Sequence, residues 1–148
     1  MKLSENGYKL ICEFEGLKLK PYLCSAKVPT IGYGNTYYPD GKKVTLLDNP
    51  ITKEYAFEIF KDIADKFAKR VNERLTKPVT QNQFDAMVSF AYNIGTGAFT
   101  TSTLLKKVNV NPNDLSIRNE FMKWTKAGGK VVQGLVNRRQ KESDVYFR

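Results

Sequence analysis

Glu15, Cys24 and Thr30 bring a carboxyl, a thiol and a hydroxyl into one short stretch, residues 15–35, which reads EGLKLKPYLCSAKVPTIGYGN. The chain contains no histidine. Ser–His–Asp and Cys–His catalysis are therefore excluded, as are His-ligated metals, and proton transfer must rest on carboxylates or on Lys, Tyr or Cys. Glu15 falls at the end of a predicted helix, where the negative end of the macrodipole favours the protonated carboxyl that a general acid needs. Cys24 has two readings: an inert small hydrophobe, or a thiolate if a cation such as Lys27 stands close. Thr30 follows Pro29, and an X-Pro step favours extended backbone. Gly32 and Gly34 allow the backbone to approach a ligand or a helix wall. Taken singly, each of these residues has an ordinary structural explanation.

The elements that must position them are legible from pattern. Ser4 caps a first predicted helix, with Leu3, Gly7, Leu10, Ile11 and Phe14 at helical spacing and Gly16 as its stop. Between residues 21 and 47 Pro, Gly, Thr and Tyr take over, and Tyr38, Pro39, Asp40, Gly41 and Lys42 make a turn between short strands. Thr52 opens a long helix whose stripe of Ala56, Ile59, Phe60, Ile63, Phe67, Val71 and Leu75 has a 3.6-residue period, ending before Pro78. At 1.5 Å per residue it spans about 36 Å, enough to connect two lobes. Thr80 and Gln83 form a capping box before a helix with Phe84, Met87, Val88, Ala91 and Ile94 on its core face. A short helix over residues 102–108, another beginning near Asn113 with Leu115, Ile117, Phe121 and Trp124, a break at Gly128 and Gly129, and a last helix from about Leu135 complete the chain. The class is α+β. A small N-terminal lobe (about residues 15–55) carries a short antiparallel sheet. A linking helix over residues 52–76 joins it to a helical C-terminal lobe of residues 78–148 plus the helix at residues 4–14, all within one domain over residues 1–148.

Composition narrows the partners. The 148 residues are 41% hydrophobic and 12% aromatic, enough for a real core. A net charge of +9 points to an anionic partner: nucleic acid, acidic lipid or the anionic polymers of a bacterial wall. Two cysteines, Cys12 and Cys24, make neither a disulfide scaffold nor a zinc spacing. Glu5, Asn6, Lys9 and Glu13 interrupt the apolar positions near the N-terminus, so neither a signal peptide nor a membrane-spanning run is expected.

The stretch around Glu15 resembles the active-site segment of the phage-type lysozymes, the endolysins of glycoside hydrolase family 24. In that family a Glu, an Asp or Cys, and a Thr stand at the spacing of Glu15, Cys24 and Thr30. Two later blocks extend the resemblance over most of the chain: QNQFDAMVSFAYNIGTGAF at residues 81–99 and GLVNRRQKE at residues 134–142. It implies a lysozyme-like fold and cleavage of the β-1,4 bond between N-acetylmuramic acid and N-acetylglucosamine. Glu15 would be the acid, and Thr30, with Cys24, would hold the attacking water. Gly32, Tyr92, Asn93 and Ser102 fall where relatives approach the glycan strand. Arg138 falls where a family arginine reaches the catalytic Glu and holds its orientation, whereas Arg139 and Lys141 read as a solvated basic helix face. Cys24 stands at a position that is often Asp, and Asn35 where many relatives carry His. The resemblance further implies a monomer acting on bacterial peptidoglycan, with no metal or other cofactor. It implies synthesis in the host cytoplasm and release to the wall or periplasm through a holin-formed hole, without nucleic-acid binding or stable membrane insertion. Two other readings compete. A lytic transglycosylase would attack the same bond with the muramic 6-hydroxyl. A non-catalytic basic module would bind wall polymers or nucleic acid.

Overall fold

A computed structural model describes all 148 residues. The chain divides into two compact units, one of residues Tyr8–Lys66 and one of Met1–Gly7 together with Phe67–Arg148.

The first unit is built on helix α1 (Glu5–Glu15), strands β1 (Lys18–Leu23) and β2 (Pro29–Gly32), and the start of helix α2 (Lys53–Arg74). Gly16 ends α1, its N–H bonding back to the Cys12 carbonyl at 3.1 Å. β1 and β2 pair antiparallel with Tyr22 opposite Thr30 and Leu23 opposite Pro29, and an irregularity separates these from the Lys18–Gly32 pair. Ile31, Val44 and Ile59 are buried together, with Tyr38 and Ile51 packed on them. A second cluster joins Tyr8 to Phe57 and Phe60 edge-on, and the Tyr8 hydroxyl is hydrogen-bonded to Asp65. The Tyr38–Lys42 turn forms as expected, with Lys42 accepting from the Tyr38 N–H. Its flanks make a single bridge, Tyr37 to Lys43, instead of strands.

The second unit is helical, and α2 ends in it. Helix α3 (Gln81–Ile94) has its capping box in place. The Thr80 hydroxyl accepts from the Gln83 N–H at 3.1 Å and the Gln83 side chain from the Thr80 N–H at 3.0 Å. Its residues from Gln83 to Ala91 are all buried. Helices α4 (Thr96–Thr101), α5 (Thr103–Val110) and α6 (Ile117–Met122) follow, then the strands β3 (Lys126–Ala127) and β4 (Lys130–Val131), and helix α7 (Gln133–Tyr146), which packs on α3. Phe90 is the hub, meeting Phe99, Phe121 and Trp124 in edge-on contacts.

Three local expectations differ from what forms. The segment TGAFTT, for which the pattern predicts no helix, makes α4, because burying Phe99 outweighs the weak helix propensity of Gly and Thr. The helix expected from Asn113 starts at Ile117. Asp114 accepts from the Ser116 N–H and hydroxyl, holding a turn that leaves Leu115 exposed. Gly128 and Gly129 do more than break the chain. Both have positive φ, 59° and 78°, the pair of values a two-residue hairpin turn requires between β3 and β4.

Candidate active site

Glu15 is the last residue of α1 and is half-buried. The chain returns to it at Gly34: a Cβ placed there would lie 2.8 Å from the Glu15 Oε2, and Gly34 has φ +81°. Conformation favours glycine there, and a methyl group would have to displace the carboxylate. Gly32, in contrast, is buried against Ala56 and Ile59 of α2, the helix wall that a close-approach glycine permits. Asn35 is buried too. Its amide donates to the Ile59 carbonyl at 3.2 Å, leaving its own side-chain oxygen without a protein partner.

On the sheet, directly opposed residues and residues two apart on one strand share a face. Tyr22 opposes Thr30, and Cys24 follows Tyr22 by two positions, so all three side chains gather on one side. The backbone N–H groups of Val28 and Ala26 and the Thr30 side chain surround the Cys24 sulfur. They hold its thiol below the ordinary value. The turn that aims these N–H groups is closed by Lys27 donating to the Cys24 carbonyl at 2.8 Å, with Lys27 itself at φ 59°. Lys27 thus acts through the backbone it shapes; hydrogen bonds, not a neighbouring cation, favour the thiolate. Thr30 is 2% exposed, and its hydroxyl also donates to the Val28 carbonyl at 2.8 Å.

Tyr22 is the member that sequence reasoning missed. Burial, then the charges of Cys24 and Glu15, push its hydroxyl upward, so it keeps its proton. Its signal was available in register: a residue two before Cys24 on a strand shares its face. Cys12, one helical turn before Glu15, is the opposite kind of cysteine from Cys24. Burial and the Glu15 charge push it up to about 12, so it remains a thiol.

The residues expected to meet the glycan lie in the other unit. Tyr92 packs on Phe67, ring centres 5.2 Å apart. Asn93, near the end of α3, is exposed and accepts a hydrogen bond from Arg139. Ser102 is buried as the N-cap of α5. It donates to the Phe99 carbonyl at 2.7 Å and accepts from the Leu105 N–H at 3.1 Å, so its one hydroxyl proton is already used. Arg138 is buried, donating to the Ser89 carbonyl at 3.0 Å and to Glu142 at 3.2 Å. Arg139 is no solvated basic residue. It is fully buried and ion-paired with Glu142, and donates to the Trp124 carbonyl at 3.0 Å. A charge-based reading of RR missed this because α7 buries both arginines beside a carboxylate four and three residues on.

The solved structures similar to this one are lysozyme folds. An endolysin from Escherichia coli O157:H7 phage FAHEc1 has a TM-score of 0.90 at 41% identity, over 99% of this chain and 93% of that one. A mutant of the P22 lysozyme has 0.86 at 34%, over 100% and 99%. The class is therefore an α+β lysozyme fold. The phage lysozyme family model matches residues 12–142, and the chain belongs to that family. Among curated relatives, the endolysin of Bacillus phage PZA is 45% identical over 99% of this chain but only 55% of its own length. The endolysin of Acyrthosiphon pisum secondary endosymbiont phage 1 is 41% identical, over 99% of this chain and 98% of its own length. The chain thus spans about half the length of the Bacillus phage relatives it matches.

Proposed function

We propose that this protein is an endolysin, a muramidase that hydrolyses the β-1,4 bond between N-acetylmuramic acid and N-acetylglucosamine in bacterial peptidoglycan. The observation that carries the reading is the register that sets Tyr22 opposite Thr30 and two positions from Cys24, on the strand pair that directly follows Glu15. Family membership supports it.

In this mechanism Glu15 gives its proton to the leaving glycosidic oxygen as the C–O bond breaks. A water held by Thr30 with help from Cys24 attacks the anomeric carbon and gives up its proton to solvent as the new C–O bond forms. The Thr30 oxygen, whose own proton goes to the Val28 carbonyl, accepts a hydrogen bond from that water. The Tyr22 hydroxyl, held as a donor, steadies the negative charge on Glu15 once the proton has left. The motif supplies no second carboxylate for a covalent glycosyl intermediate, so the reaction inverts configuration. Gly34 leaves the Glu15 carboxylate room, while Tyr92 and Asn93 serve the glycan strand and Arg138, buried on Ser89 and Glu142, braces the helices behind them; Gly32 and Ser102 each support the local backbone. The proposal includes a monomer that reaches the wall through a holin-formed hole; no helix is long and apolar enough to cross a membrane.

Product analysis tests all of this at once. Glu15→Gln should lower the rate of peptidoglycan cleavage by about 10²–10⁴-fold, the usual worth of a positioned acid. Cys24→Ser should lose part of the rate. Mass spectrometry should find one water added per cut. A 1,6-anhydro product would replace hydrolysis by transglycosylation, and undiminished clearing by Glu15→Gln would remove the catalytic assignment. Tight, salt-sensitive DNA binding with no clearing by the wild type would favour a binding module.

A further inference from the structure

Arg139 has a task the reaction scheme leaves unassigned. Its guanidinium is fully buried and each nitrogen has a partner: Nε the Trp124 carbonyl at 3.0 Å, one terminal nitrogen Glu142, the other the Asn93 side chain. Its carbon also lies 5.0 Å over the Phe90 ring. Glu142 is buried in turn, and is bonded by Ser89 and Arg138 as well. A guanidinium held on so many sides cannot turn, and it has only hydrogens to offer. The atom of Asn93 that faces it must therefore be the carbonyl oxygen. The amide NH₂ of Asn93, on an exposed residue, is left pointing away from the cluster, and it makes no bond within the protein.

Two further points follow. The Arg139 guanidinium donates to the amide oxygen, which draws electrons from the amide and strengthens its outward N–H donors. The side chain also cannot flip to offer its oxygen outward, because doing so would set NH₂ against guanidinium, donor against donor.

We propose that Arg139 is a positioning residue that locks Asn93 as a hydrogen-bond donor, so that the glycan group met there is an acceptor oxygen, a carbonyl or a carboxylate. The inference rests on the peptidoglycan reading above and deepens it, converting a general contact at Asn93 into one with a defined polarity.

The test separates KM from kcat on purified peptidoglycan. Asn93→Asp keeps an oxygen against Arg139 and replaces the outward donor by an acceptor. KM should rise about tenfold, the worth of one hydrogen bond turned to repulsion, with kcat within about twofold and thermal stability not lowered. Arg139→Lys removes the fork and frees the amide; KM should rise again, with kcat little changed. The double variant should be no worse than Asn93→Asp alone, since both act through one bond. If Arg139→Lys does not fold, the Asn93→Asp arm still decides. On substrate whose carboxylates have been amidated, loss of the Asn93→Asp effect assigns the acceptor to a carboxylate, and persistence assigns it to an N-acetyl carbonyl. A wild-type KM for Asn93→Asp overturns the proposal. Wild type and Glu15→Gln run alongside: if wild type cleaves and Glu15→Gln does not, an unchanged KM defeats only this inference. A wild type without activity defeats both readings.

Discussion

At Gly34 two demands meet on one atom that is not there. The backbone has φ +81°, and the space a Cβ would occupy is 2.8 Å from Glu15 Oε2. Gly41 shares the first demand, with φ +88°, but nothing lies within 4 Å of its Cβ position. Gly34→Ala and Gly41→Ala should therefore each lose about 1–2 kcal/mol of stability from the left-handed backbone alone, as urea unfolding would read. Only Gly34→Ala should also depress cleavage sharply, because its methyl must displace the proposed acid. Equal activity in the two variants would show that the carboxylate tolerates movement. The sequence marks residue chemistry well and residue geometry poorly. Glu15, Cys24 and Thr30 stand out by type and spacing, and the structure brings Cys24 and Thr30 into contact. Which glycine faced the carboxylate, and that Tyr22 joined the group, depended on strand register and on where the loop after β2 returned. No single residue type encodes those.

Among the elements, α3 is the one most fully written in its own residues. Its capping box is present in both directions, and its apolar periodicity matches the buried face. Thr80→Ala removes one half of that box and leaves the Gln83 N–H without its acceptor. Stability should fall by about 1 kcal/mol, measured as a shift in the denaturant midpoint at unchanged slope. The same Gln83 side chain also reaches the Pro112 carbonyl at 3.4 Å and Asn113 at 3.2 Å. Gln83→Ala should therefore cost more than Thr80→Ala. Elements with weak local signals were the ones misread. In α4 a phenylalanine seeking burial overrides its neighbours' propensities, and in α7 the paired arginines look solvated until the facing carboxylate, Glu142, is seen. Long periodic segments carry their structure locally, whereas short ones borrow it from what they pack against.

For the molecule as a whole, charge sets the acid limit. Burial raises Glu120, but hydrogen bonds and charges from Lys107 and Lys123 outweigh it and hold the carboxyl below its ordinary 4.5. Asp114, bonded by the Ser116 hydroxyl and N–H, and Asp48, bonded by the Thr45 hydroxyl and N–H and by Tyr38, lie below their ordinary 3.8. A group depressed by folding contributes stability that is complete above its unfolded value and is lost as pH falls through the folded one. The melting temperature should therefore be insensitive to these groups above about pH 4.5 and drop steeply once the pH falls below 3.8. The net charge, already +9, climbs as these groups protonate, and its self-repulsion adds to the fall. Calorimetry across that range is the check; a melting temperature unmoved in strong acid would mean these pairs contribute nothing.

The division of the chain has a consequence for how it is made. Met1–Gly7 belongs to the same unit as Phe67–Arg148, tied there by the Ser4 N–H on Asp85 at 3.2 Å and Gln81 on the Lys2 carbonyl at 2.8 Å. These seven residues leave the ribosome well before the helix that receives them. During synthesis they must wait, unpaired, while the sheet-bearing unit is completed between them and their partners. The helical unit is closed by its earliest residues, so an extension fused there would be felt by residues made near the end of translation.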